Sequence, residues 1–136
     1  MTLFGLAVAS LLFVRASVAQ PTSRDAAQTS ARSWLALVDA KNYAASWDEA
    51  ATVFKSAVTQ ATWETAVKGA RTPLGELKMR TLNSATATTS PPGAPSGEYI
   101  VIKYDTTFDQ KQGMVETVAL IKQDDGTWRV AGYFVQ

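Results

Sequence analysis

Apolar and polar positions alternate with a period of two through three consecutive runs, GEYIVIKYDTTF, MVETVALIK and TWRVAGYFVQ, between Gly97 and Gln136. The runs are dense in β-branched and aromatic residues, which favour strands. Their connections are short, Asp109 to Gly113 and Asp124-Asp125-Gly126, so neighbouring strands pair as an antiparallel meander. Upstream the period lengthens to that of a helix. Thr22-Ser23-Arg24-Asp25 reads as a capping box, so a helix is expected to begin near Ser23. Ala27, Ala31, Trp34, Leu35 and Val38 form its apolar stripe, and Asp39-Ala40-Lys41-Asn42 interrupts it. A second, shorter helix carries Tyr43, Trp47, Ala50 and Ala51, with Phe54 at its far end. Thr59 caps a third, in which Trp63, Ala66, Val67 and Ala70 repeat the spacing until Pro73 and Gly75 stop it.

Glu76 to Thr89 reads as a first, more polar strand. Ser90 to Gly97 (SPPGAPSG) follows as a mobile hairpin connection. The expected architecture is α+β: three N-terminal helices packed on a curved four-stranded antiparallel sheet. A pocket between the sheet and the longest helix would be usual there.

Composition narrows the chemistry. Met1 to Ala19 has the form of a secretory signal peptide, with an apolar run from Leu3 to Val14 too short to span a bilayer. Ser17-Val18-Ala19 supplies a small–x–small cleavage site, although no Lys or Arg precedes the apolar run. The expected organisation is a signal peptide over residues 1–19 and one α+β domain over 20–136, periplasmic or secreted, without a stable membrane anchor after cleavage. Arg15 is the one base in the leader, so 12 basic face 12 acidic residues in the remainder. That balance gives no electrostatic reason to expect nucleic acid. The chain has no cysteine and no histidine. Disulfides, cysteine nucleophiles, a Ser-His-Asp triad and histidine-ligated metal sites are therefore excluded. No phosphate loop, Gly-x-Gly-x-x-Gly or Gly-x-Ser-x-Gly pattern occurs, so no cofactor is expected.

WLALVDAKNYAASWDEAA (Trp34 to Ala51), taken with GEYIVIKYDTTF and VETVALIKQDDGTWRVAGYFV, resembles a bacterial family known as domain of unknown function 4019. The marks are Trp47 after Tyr43, Tyr104-Asp105-Thr106, Glu116-Thr117-Val118 and Trp128 to Tyr133, and the resemblance runs from about Ala27 to Gln136. It implies a small, exported protein with no assigned activity. More distantly the layout resembles the cystatin-like or nuclear-transport-factor-2-like superfold, which hosts isomerases, dehydratases, cyclases and binding modules alike. The strand pair usual between its second and third helices is missing, which argues against a full cone-shaped cavity.

Among the aromatics, Trp34, Tyr43, Trp47, Tyr104 and Tyr133 are candidates to line a ligand pocket, against a plain role as core. Among the carboxylates, Asp39, Asp48, Glu49, Asp105 and Glu116 lie near helix ends or within strands. Glu116 stands out because its strand is otherwise apolar; burying it requires a partner. Arg129 and Lys103 are the candidates on neighbouring strands. A two-residue Asp125-Gly126 turn would set Lys122 opposite Arg129 and Val118 opposite Tyr133, whereas one more loop residue sets Ile121 opposite Arg129. Neither register puts Arg129 against Glu116. Glu116 and Asp105 are the weak catalytic candidates, weighed against structural or solvated roles. The acidic turns do not follow a calcium-loop pattern, and no metal site is expected. Arg71, Lys78 and Arg80, around Pro73, read as ordinary surface charge.

Three functions remain open. The first is a non-catalytic exported module that binds a small ligand or a partner. The second is a homodimerising module that uses the open sheet. The third is a carboxylate–tyrosine acid–base enzyme of isomerase or cyclase type.

Overall fold

Thr22 opens the first helix with the capping box that the sequence predicts. Its hydroxyl accepts from the Asp25 amide at 3.1 Å, and the Asp25 carboxylate accepts from the Thr22 amide at 3.2 Å. The computed structural model describes residues 22–136, so the expected signal peptide over Met1–Ala19 lies outside the described residues. Helix α1 (Ser23–Asp39) buries Ala27, Ala31, Trp34, Leu35 and Val38, the stripe read from its spacing. Two short helices follow, α2 (Tyr43–Asp48) and α3 (Thr52–Ala57), where the sequence suggests one. The break has a tertiary cause. The Ala51 amide donates to the Val130 carbonyl at 2.8 Å, and Ala51 is extended, so the helix cannot run through it. Helix α4 (Gln60–Arg71) starts at Thr59, whose hydroxyl accepts from the Thr62 amide at 3.2 Å. A single 3-10 turn, Thr72–Leu74, carries Pro73.

The strands are β1 (Leu77–Thr88), β2 (Tyr99–Phe108), β3 (Lys111–Lys122) and β4 (Trp128–Val135). They pair in sequence order as one open antiparallel sheet. The helices cover one face, on which Ile100, Ile102, Tyr104, Val118, Leu120, Trp128, Val130 and Tyr133 join the helical stripes in a continuous core. Two tryptophans of that core, Trp34 and Trp63, have bonded indoles. The Trp34 indole donates to the Ser46 carbonyl at 2.8 Å, and the Trp63 indole to the Ser46 hydroxyl at 2.9 Å. The rings of Trp34, Trp63 and Tyr133 lie 5.4 to 6.4 Å apart. Among the described residues, no helix is long and apolar enough to cross a membrane.

The β3–β4 hairpin contains both registers that the sequence allows. Near the turn Ile121 faces Arg129, because Gln123 pairs with Thr127 across a three-residue loop in which Gly126 takes φ 84°. Further along Val118 faces Tyr133. The shift falls between Ala119 and Leu120, whose partners are Gly132 and Val130, so Ala131 is the extra residue of a β-bulge. Inward burial along β4 accordingly changes phase, from Trp128 and Val130 to Tyr133. The bulge turns Tyr133 toward the helices. On β1, similar irregularities at Lys78 and Asn83 flank Arg80 and Leu82, which face Thr106 and Tyr104.

Gly75 tests the joint between the helical and sheet halves. Its φ is 77°, and a Cβ there would stand 3.1 Å from both Asp109 Cβ and Gln110 Cγ. Gly75→Ala should therefore lower stability by about 1–3 kcal/mol in urea unfolding. Gly69→Ala, at a helical site with nothing within 4 Å, should raise it by about 0.5–1 kcal/mol.

Candidate functional site

Charged residues on β1, β3 and the ends of α1 and α4 meet beneath the helices. Glu116 on β3 is 0 % exposed. Its Oε1 accepts from Arg80 Nε at 2.7 Å and from the Thr106 hydroxyl at 2.8 Å. Its Oε2 accepts from Arg80 Nη2 at 3.2 Å and from the Tyr133 hydroxyl. Arg80 also grips Asp39, with Nη1 to Oδ2 at 2.8 Å and Nη2 to Oδ1 at 3.0 Å. Arg71 donates to Asp39 Oδ1 from Nη2 at 2.8 Å, and its Nη1 lies 4.0 Å from Glu116 Oε2. Two guanidinium groups thus face two carboxylates, and the cluster is neutral. The planar fork of arginine suits such paired contacts in a way that lysine would not.

The protonation states follow from these contacts. Burial opposes the Asp39 charge, but the hydrogen bonds and charges of Arg80 and Arg71 outweigh it and hold the carboxyl below its ordinary value. Burial likewise opposes the charges on Arg71 and Arg80, and their acidic partners more than restore them. Burial, together with the charge and hydrogen bond of Glu116, pushes the Tyr133 phenol far up, so it stays a neutral donor. Arg71 Nε and Nη1 have no hydrogen-bond partner among the described residues, and the guanidinium lies 4.7 Å over the Phe108 ring.

A cleft of about 410 Å³ opens beside this cluster, between α1 and the β1–β2 edge of the sheet. Gln28, Arg32, Leu35 and Ala36 line one wall, and Arg80, Leu82 and Tyr104 the other, with Asp39 at the end of α1. Tyr104 is 95 % buried, yet its hydroxyl has no hydrogen-bond partner among the described residues. Buried hydroxyls are rarely left so. Burial raises the phenol's pKa, with Arg32 and Arg80 pulling the other way.

The chain matches a family described as a protein of unknown function, DUF4019, over residues 30–133. It belongs to the DUF4019 family. The matched span contains Asp39, Arg71, Arg80, Thr106, Glu116 and Tyr133, every member of the cluster, and all of the cleft lining except Gln28. No curated protein matches the chain.

The structure distributes the residues singled out in this DUF4019 sequence as follows. Glu116 and Tyr133 meet in the cluster, Asp39 joins them, and Tyr104 lines the adjoining cleft. Trp34 belongs to the core and borders a separate cleft of about 450 Å³ with Trp128 and Leu37. Tyr43 and Trp47 are half-buried, and the Trp47 indole donates to the Val58 carbonyl at 2.9 Å. Asp105 is exposed and accepts from Asn83 at 3.1 Å, and Asp48 is exposed at the end of α2.

Two expectations need correction. Neither Arg129 nor Lys103 is the partner of Glu116, since Arg129 pairs with Glu49 at 3.4 Å and Lys103 is exposed. Nor are Arg71 and Arg80 surface charge. Their side chains are only 6 % and 13 % exposed, because β1 and the end of α4 close over Asp39 and Glu116. Lys78 alone of that trio is a surface residue, paired with Asp109 at 3.5 Å. A usable signal existed. Arg71 continues the Trp63–Val67 ridge of α4, and Asp39 continues Ala27–Ala31–Leu35, each four residues on.

Removing Arg80 strands two carboxylates, one of them fully buried. Arg80→Leu should cost about 3–5 kcal/mol in denaturant unfolding. Because the folded pKa of Asp39 is lowered, its contribution is fully present above the ordinary value of 3.8 and is lost as pH falls through the lower folded value. Denaturation midpoints followed downward in pH should therefore drop below about pH 4, less steeply in Asp39→Asn than in the parent.

Proposed function

We propose that this protein is a non-catalytic, exported binding module, periplasmic or secreted, that takes a small molecule in the cleft between α1 and the β1–β2 edge. The observation that carries this reading is the cleft itself, about 410 Å³ between α1 and β1, walled by the apolar Leu35, Ala36 and Leu82 with Arg32 at its side. Apolar clefts of this size with a few polar groups at the wall suit small ligands. The acid–base alternative is less well supported. Both oxygens of Glu116 already accept two hydrogen bonds each, in a cluster filled by protein side chains. No lone pair is left for a substrate proton. The leader-like run Met1–Ala19 supports export. The distant likeness to cystatin-like and nuclear-transport-factor-2-like proteins agrees with helices on one face of a sheet, and adds no chemistry.

Self-association through the open sheet is the second reading. Phe134 favours it, being 65 % exposed on the uncovered face of the edge strand β4. A strict monomer in sizing chromatography at high concentration would remove it.

The binding reading is tested by thermal-shift screening of residues 20–136 against periplasmic metabolites and cell-wall fragments. Leu82, 45 % exposed at the cleft wall, provides the control. At least one compound should raise the melting temperature by several degrees, and Leu82→Arg, which fills the cleft, should abolish the rise. Stabilisation that survives Leu82→Arg, or none across the screen, would overturn the reading.

A further inference from the structure

We infer that the uncovered face of the sheet seats a second copy of this chain, stacked face to face about a two-fold axis that sets Lys103 of each copy against Asp105 of the other. The inference rests on the second reading above, self-association through the open sheet, and adds which residues meet and by what symmetry.

The strand pairing fixes what that face presents. Val101 on β2, Ala119 on β3 and Gly132 on β4 lie side by side in one row, with Thr86 of β1 at its end. The next row runs Ser84, Lys103, Thr117 and Phe134, and the one after it carries Thr81, Asp105 and Val115. The core and its helices lie on the opposite side. Phe134 is 65 % exposed, and its ring lies along the face. A Cβ at Gly132 would stand 3.7 Å from its Cε2 and 3.9 Å from Ala119 Cβ. An exposed phenyl beside a centre of small side chains is a surface that a second sheet can cover.

Area and charge name the occupant. Four strands about 4.8 Å apart, spanned by about eight residues of about 3.3 Å each, give a face of roughly 500 Å². Two copies would bury about 1,000 Å² between them, which meets the lower bound for a specific interface. Lys103 and Asp105 are exposed on either side of Tyr104 and make no ion pair among the described residues. Asp105 accepts only from the neutral Asn83 amide. One free cation and one free anion thus sit together on an interior strand. A two-fold axis between them, lying in the interface and across the strands, reverses the order of the rows. Each Lys103 then faces the other copy's Asp105, and each Thr117 the other copy's Val115. An isologous contact requires a surface complementary to itself, and this pair of charges supplies it. A patch of one sign would instead repel its own copy.

The experiment is sedimentation equilibrium on residues 20–136 and on the variants Lys103→Glu, Asp105→Lys and Phe134→Ser. All three side chains are exposed, so the variants should fold and melt with the parent. The parent should form a dimer. Each charge reversal sets like charges together at both ends of the axis and should weaken dimerisation about tenfold, as should loss of the Phe134 ring. Mixing Lys103→Glu with Asp105→Lys in equal amounts restores both opposite-charge pairs, so the mixture should dimerise within about threefold of the parent. A parent dimer that the charge reversals do not weaken, or a mixture that dimerises no better than either variant alone, would overturn the two-fold pairing and leave association through the sheet standing. A parent that stays monomeric at high concentration would overturn both. The α1–β1 cleft lies on the helical side of the sheet, so its own test is independent of these results.

Discussion

Arg80 holds the molecule's halves in register. From β1 its guanidinium reaches Asp39 at the end of α1 on one side and Glu116 in the middle of β3 on the other. Three elements distant in sequence are thereby pinned at one point, and Arg71 extends the contact to the end of α4. A buried ion cluster of this kind adds little net stability, since desolvating four charges costs about as much as their attraction returns. Its effect is on uniqueness. Any slip of α1 along the sheet, or of β1 against β2, would leave a charge buried without its partner. The apolar stripes alone would tolerate such a slip far better.

The bulge at Ala131 belongs to the same constraint. Without it, β4 would keep the phase of Trp128 and Val130, and Tyr133 would lie on the uncovered face of the sheet. With it, Tyr133 turns inward, packs 5.4 Å from Trp34 and occupies the last site on Glu116. Glu116 is thereby saturated, and the reactive character that a lone carboxylate in an apolar strand would have is removed. The buried polar atoms left without a partner among the described residues are Arg71 Nε and Nη1 and the Tyr104 hydroxyl.

Much of this was legible in particular residues. The capping box at Thr22, the stripe from Ala27 to Val38, the cap at Thr59 and the order of four strands follow from neighbours a few positions apart, and each is present. The membership in the DUF4019 family was also readable, because its marks are short runs of sequence. The requirement that Glu116 have a partner was correct, but the partner named for it was not. Arg80 sits in the most polar strand, where no alternation singles it out, between two irregularities that break its phase. The helix break at Ala51 was equally hidden, since a carbonyl on β4 causes it.

The sequence by itself determined the four strands and their order, the helical first half, the faces that α1 and α4 bury, and the exclusion of cysteine and histidine chemistry. These depend on period and composition, which are local properties of the chain. Only the tertiary structure decided which charges meet, where Tyr133 points and which hydroxyl is left without a partner. The reason is physical. A one-residue bulge reverses the direction of every side chain beyond it, and the pairing of buried charges depends on contacts 32 to 41 residues apart. No local pattern along the chain carries either.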